Sequence, residues 1–235
     1  MNIAVISDLH LGSEHGTDSF GHDDAEFLRF LTYLERNFER IVLLGDIWET
    51  LASRCPWRAR AELATARSRH LEIAKRFRGP KYQYVHGNHD LIAGEVDGAP
   101  EHLSFEADGK RLLFMHGHGH DRLIRAARRL VELGVCLGGW IRRAGCHRLY
   151  RWLDRVDQRR SLISTDVKEC TFQRWALGEA ERHTADIVVT GHTHLPLSTE
   201  LAGRRYMNSG TCSNGRITFL ALETKNDVYG VHHAW

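Results

Sequence analysis

The 235-residue sequence has no C-x-x-C pair, no apolar run long enough to span a bilayer and no linker rich in proline, glycine or serine. Each absence removes a class of protein. The five cysteines (Cys55, Cys136, Cys146, Cys170 and Cys212) are odd in number. That argues against a disulfide framework or a cysteine zinc site, and for reduced thiols in a cytoplasmic protein. The longest apolar stretch, LVELGVCLGGWI, is short and carries Glu132, so no membrane span is expected. No signal peptide is expected either, because Met1 leads straight into the strand-like NIAVIS. With no repeats or low-complexity tracts, residues 1–235 read as one domain.

Net charge is also scarce, at +2, but it is unevenly placed. Between Asp121 and Arg160 lie eleven arginines, no lysine and four acids, so this stretch carries +7 and the remainder −5. Arg148, Arg151, Arg155 and Arg159 recur at helical spacing, while Trp140, Leu149, Trp152, Leu153 and Val156 supply apolar surface. This segment, about 121–165, reads as a helical cap inserted into the body. A solvated basic helix is the plainer alternative. Nothing in the pattern points to a specific nucleic-acid partner.

What is present is a rhythm of short β-branched runs: IAVI at 3–6, IVLL at 41–44, YQYV at 82–85 and DIVV at 186–189. Apolar stripes of helical period separate them. One runs through Phe27, Leu28, Leu31 and Leu34, another through Leu63, Ala66, His70, Ile73 and Phe77. Alternating strands and helices imply parallel pairing and an α/β fold. Turns at ADGKR, AGRR and SNGR suggest hairpins and a second, partly antiparallel sheet.

The polar residues fall where those runs end. Asp8 and His10 follow the first, Asp46 the second, and Asn88, His89 and Asp90 the third; His116 follows LLFM, and His192 and His194 follow IVVT. Ligands in α/β sheets collect at the carboxyl ends of strands, so these groups should converge. Carboxylate, imidazole and amide oxygen suit a divalent manganese, iron, zinc or cobalt ion. With His89 and Asp90 set aside, seven donors remain, too many for one ion and suited to two.

The blocks SDLH, GD, GNHD, a strand-end HG and GHTH, in this order, resemble the signature of the calcineurin-like metallophosphoesterase superfamily. The resemblance implies a four-layer αββα sandwich of two packed mixed sheets and a centre of two divalent ions, with Mn2+ first in expectation and Fe2+, Zn2+ or Co2+ as substitutes. It places Asp8, His10 and His194 on one ion, Asn88, His116 and His192 on the other, and Asp46 between them. His89 would be the catalytic histidine that donates a proton or hydrogen bond to the leaving-group oxygen, with Glu49 orienting it. Asp90 and His118 are expected beside the ligands, and Arg151 and Trp152 on the substrate face of the cap.

SDLHLG, GDIWE and the insertion look most like the UDP-2,3-diacylglucosamine pyrophosphatase branch. That resemblance implies a phosphodiester or pyrophosphate cut by a hydroxide held between the ions, and an amphiphilic lipid-nucleotide substrate. It also implies peripheral contact with the inner membrane surface through the basic cap. A cyclic-nucleotide or general nucleotide phosphodiesterase would use the same centre on a soluble substrate. A non-catalytic metal-binding scaffold is the alternative from another class. A single zinc site built on HGHGHD alone would leave Asp8, Asp46 and Asn88 without a role.

Overall fold

The computed structural model describes residues 1–14, 19–51, 58–120, 171–201 and 203–234. The elements are β1 (Asn2–Ile6), α1 (Asp24–Asn37), β2 (Arg40–Leu44), α2 (Ala59–Arg69), α3 (Leu71–Arg76), β3 (Tyr82–Val85), α4 (Ile92–Asp97), β4 (His102–Ala107) and β5 (Lys110–Met115). After these come α5 (Thr171–Arg182), β6 (Ile187–Thr190), β7 (Leu197–Leu201), β8 (Arg204–Asn208), β9 (Ile217–Glu223) and β10 (Val228–Ala234). The proposed cap at 121–165, with Arg151 and Trp152, lies outside the described residues.

The strands form two mixed five-stranded sheets, ordered β10-β9-β1-β2-β3 and β4-β5-β6-β8-β7. In the first, β1, β2 and β3 run parallel and β9 and β10 antiparallel. In the second, β5, β6 and β8 run parallel, with β4 and β7 antiparallel at the edges. The period of two along each strand sorts the side chains into layers. Ile3 and Val5 face Leu112, Phe114 and Val189 across the sandwich. Ala4 and Ile6 face the other way, onto Phe27, Phe30 and Leu31 of α1 and Ile73 of α3. On the far side Leu113, Val188 and Tyr206 pack against Phe172, Ala176 and Ala180 of α5. The layers are therefore helix, sheet, sheet, helix. Each fully buried large side chain in them stabilises by about 1.5–3 kcal/mol.

Helix α1 begins where Asp23 accepts hydrogen bonds from the Ala25 and Glu26 amides at 3.0 and 3.2 Å. Its buried stripe is Phe27, Phe30, Leu31 and Leu34. The second apolar stripe does not make one helix. His70 takes a non-helical backbone between α2 and α3, and its Nδ1 is held 2.8 Å from Asp24 of α1. Periodicity ran through the break because both helices bury the same side.

Of the three expected turns, ADGKR closes the β4–β5 hairpin, with Asp108 and Gly109 both at positive φ. Leu201 and Arg204 flank the β7–β8 turn. SNGR is not a hairpin. It ends the crossover from β8 in one sheet to β9 in the other, and Asn214 and Gly215 take positive φ there without joining paired strands. Turn chemistry reports a reversal but not which strands it joins. Among the described residues no helix is long and apolar enough to cross a membrane.

Candidate metal centre

The parallel strands of both sheets end at one edge of the sandwich, and the loops beyond them hold unusual backbone. Asp8, His10, Asp46, His192 and His194 all have φ between 51 and 69°. Non-glycine residues enter this region at a cost and persist where the surroundings hold them, as at ligand clamps. Glycines give the room. A Cβ on Gly45 would stand 2.5 Å from the His116 ring, and one on Gly87 would stand 2.2 Å from Asp46 Oδ1. Gly45 and Gly87, each next to a candidate ligand, thus make space for His116 and Asp46 respectively.

Three groups of donors result among the described residues. Asp8, His10 and His194 offer ligand atoms within 4.8 Å of one another, and so do Asp46, His116 and His192, and His10, Glu49 and His89. The rings of His116 and His192 stand 5.2 Å apart, and those of His10 and His194 5.6 Å apart. Asp8, Asp46 and His116 are buried, while the His194 side chain is 34% exposed, which sets the mouth on that side.

The hydrogen bonds leave the right atoms over. His116 Nδ1 donates to the Leu44 carbonyl at 2.9 Å, which turns Nε2 inward. Nε2 then stands 3.1 Å from Asp46 Oδ2 without a hydrogen bond to it. Asp8 Oδ1, 3.1 Å from His194 Nε2, is likewise without a hydrogen-bond partner, as are His10 Nε2 and Asn88 Oδ1. Buried polar atoms left without hydrogen bonds are costly, and a cation held by carboxylate, imidazole and amide oxygen together would satisfy them. The donor set therefore fits divalent metal.

The electrostatics agree. Burial opposes the charged form of His116, yet Asp46 and Asp8 outweigh it and push its pKa up to about 9. Burial also opposes ionised Asp8 and Asp46, and the surrounding histidines still hold both carboxyls below their usual range. His192 moves the other way, down to about 4, through burial and then the charge of His116. The two buried carboxylates thus favour positive charge at their centre, as a cation would supply.

His89 belongs to the third group, which shares His10 with the first. Its Nδ1 is 2.8 Å from Glu49 Oε2, its ring lies 4.7 Å from that of His10, and its amide donates to Asp46 Oδ1 at 2.8 Å. Burial would lower its pKa, but Glu49 and Asp46 dominate and raise it to about 10. Glu49 also lies 3.4 Å from His10 Nδ1. Asp90 faces the backbone instead of the cluster, accepting from the amides of Gly87, Ile47 and Trp48 at 2.6, 2.7 and 3.2 Å and from the Tyr84 hydroxyl.

His118, in a short 3-10 turn, packs between the rings of His116 and His86 at 5.8 and 5.7 Å; burial and the charge of His116 bring its pKa down to about 3. His120 packs on Phe172 and Trp175 of α5. Of the three alternating histidines, only His116 belongs to any donor group. Sequence reasoning passed over Ser7, whose hydroxyl donates to Asp8 Oδ2. Its one signal is its place immediately before the first carboxylate.

Residues 1–148 match the profile of the calcineurin-like phosphoesterase superfamily domain. The chain belongs to that superfamily. It is a metal-dependent hydrolase by that membership. A UDP-2,3-diacylglucosamine hydrolase of Shigella dysenteriae serotype 1 is 28% identical over 218 residues, covering 86% of this chain and 85% of the relative. The Escherichia coli O81 enzyme of the same name is 27% identical over the same shares. Among solved structures, Vps29 of Chaetomium thermophilum superposes with a TM-score of 0.52 at 14% identity, over 100% of this chain and 92% of that one. An archaeal phosphodiesterase superposes at 0.50 and 15% identity over the whole of both chains. These two share the fold.

Proposed function

We propose that the strand-end cluster binds two divalent ions and hydrolyses a phosphodiester or pyrophosphate bond. Asp8, His10 and His194 would hold one ion and Asn88, His116 and His192 the other, with Asp46 between them. The observation that carries this is the set of buried polar atoms brought together without hydrogen-bond partners, Asp8 Oδ1 and His116 Nε2 above all. Manganese is the expected metal, and iron(II), zinc or cobalt suit the same donors. Two such ions lower the pKa of water and neutralise phosphoryl charge.

The chain's own residues do the rest. His89, anchored at Nδ1 by Glu49, keeps Nε2 for a proton or hydrogen bond to the leaving-group oxygen. Its elevated pKa keeps that proton in place at neutral pH. The Leu44 carbonyl orients His116, and Asp90 holds the 46–48 loop so that Asp46 meets it. Burial of the donors excludes bulk water from all but the His89 and His194 side.

The substrate class we favour is an amphiphilic lipid-linked nucleoside diphosphate. Support comes from the relatives named for UDP-2,3-diacylglucosamine and from the arginine- and tryptophan-bearing stretch 121–160. On this reading the insertion at about 121–165 is a cap of the same domain, Arg151 and Trp152 contact substrate, and the protein works from the cytoplasm at the inner membrane surface.

The test is turnover of UDP-2,3-diacylglucosamine, cyclic nucleotides and an aryl phosphodiester by manganese-loaded protein, beside Asp46→Asn. Preference for the lipid substrate, lost in Asp46→Asn, supports the reading. Preference for cyclic nucleotides would move the substrate to the soluble class. No turnover in either protein would overturn the catalytic assignment.

A further inference from the structure

Behind Asp8, on the side away from the donors, lies a buried patch of hydroxyls that the chemistry above does not use. Ser7 follows β1 of the first sheet; Ser209 follows β8 of the second. Their Oγ atoms lie 2.7 Å apart, and both residues are fully buried. Ser7 Oγ also meets Asp8 Oδ2 in a short hydrogen bond.

Counting protons sets the direction. A carboxylate oxygen accepts, so the Ser7 hydroxyl gives its single proton to Asp8 Oδ2. Ser7 Oγ then has lone pairs to offer, and Ser209 donates to it. The Thr190 carbonyl, 3.2 Å from Ser209 Oγ, is the longer alternative for that proton. A two-hydroxyl chain thus runs from one sheet, through the other, to one oxygen of one carboxylate.

The His192 amide donates to the same Oδ2 at 3.2 Å, and Thr211 Oγ1 donates to the Asp8 carbonyl at 3.0 Å. All of these bonds fall on Oδ2 or the backbone. Oδ1 receives none. There is no slack around the pair, since a Cβ on Gly191 would stand 2.8 Å from Ser7 Oγ and 2.9 Å from Asp8 Oδ2.

We infer that Ser7, backed by Ser209 across the seam between the sheets, is a positioning residue that clamps Asp8 by Oδ2 and so presents Oδ1 alone to an ion. The inference rests on the two-ion reading above. Without the clamp, Asp8 could rotate, approach with both oxygens or retreat from the cluster. The carboxylate would then lose a fixed orientation that its left-handed backbone, at φ 55°, cannot itself supply. Partners behind a ligand commonly act this way, and their loss weakens metal binding by about 10–100-fold.

The experiment titrates metal-free full-length protein with Co2+, reading visible absorption bands and affinity by chelator competition, with no substrate present. Wild type is expected to take up two ions. Ser7→Ala should keep its far-ultraviolet circular dichroism, bind one of the two ions about 10–100-fold more weakly and show altered bands for it. Ser209→Ala should move the same way by less, because the Ser7 proton remains; it decides the matter if Ser7→Ala does not fold. Wild-type affinity and bands in both variants would overturn the clamp while leaving the two-ion reading intact. Failure of wild type to bind cobalt would overturn the two-ion reading itself, and the clamp with it.

Discussion

Nδ1 of His89 lies 2.8 Å from Oε2 of Glu49, and burial makes that contact a demanding one for both groups. Burial alone would drive each towards neutrality, yet each holds the other charged: His89 rises to about 10 and Glu49 falls well below its usual range. On the proposed function the pair would be a proton source kept loaded at neutral pH. It sits beside the other two donor groups, joined to one of them where Glu49 reaches His10 at 3.4 Å.

Glu49→Gln should therefore weaken proton delivery more than substrate binding. The kcat for an alkyl phosphodiester is expected to fall by about 100-fold. A nitrophenyl ester, whose leaving group needs no proton, should lose far less. Equal losses on the two esters, measured at saturating substrate, would remove His89 and Glu49 from the leaving-group step.

Gly87→Ala places a Cβ 2.2 Å from Asp46 Oδ1 and 2.5 Å from its amide. Overpacking of this kind costs about 1–3 kcal/mol, and here it also displaces a donor. A lower melting temperature and loss of cobalt binding are expected together. Gly178→Ala in α5, where nothing lies within 4 Å, serves as control and should be neutral or stabilising by up to about 1 kcal/mol. Unchanged metal binding in Gly87→Ala would show that Asp46 has more freedom than its surroundings allow.

Asp90→Asn keeps the shape of the side chain but turns an acceptor-only group into one with its own N–H donors. Those would face the amides of Gly87, Ile47 and Trp48. The cost should be about 1–3 kcal/mol, read as a shift in the urea midpoint. Metal affinity should fall as well, because the 46–48 loop carries Asp46. Wild-type stability would mean that the loop holds its shape without this anchor.

The metal-free protein should have a narrow pH range of greatest stability. His116 and His89 are raised in the fold from 6.5 to about 9 and about 10. Their contribution is complete below pH 6.5 and is lost as pH climbs through 9 to 10. Asp8, Asp46 and Glu49 are lowered, so theirs is present above their model values of 3.8, 3.8 and 4.5 and is lost on acidification. His192 and His118, lowered to about 4 and about 3, cost stability as pH falls below 6.5, so denaturation midpoints should peak near pH 6.5 and decline on either side. Saturating divalent ion should reverse the alkaline decline, since binding displaces the His116 proton and strengthens as pH rises. A flat profile from pH 7 to 10 without metal would contradict the charge states assigned here.

The α/β class was legible because buried parallel strands must be written as short apolar β-branched runs. The candidate donors were legible because each follows such a run, and a parallel sheet brings its strand ends to one edge. That logic reaches only as far as residues near one another in the chain. It let a single apolar stripe pass through His70, where a contact with Asp24 divides two helices. It also took SNGR for a hairpin, because positive φ at Asn214 and Gly215 serves a crossover equally well.

By itself the sequence determined which residue types stand at the strand ends, in what order, and hence the superfamily. The tertiary structure alone decided which atom of each residue faces the cluster. Leu44 turns Nε2 of His116 inward from 72 residues away, and Ser209 backs Ser7 on Asp8 from 202 away. Hydrogen bonds between two sheets depend on their packing and register, and no local spacing encodes either.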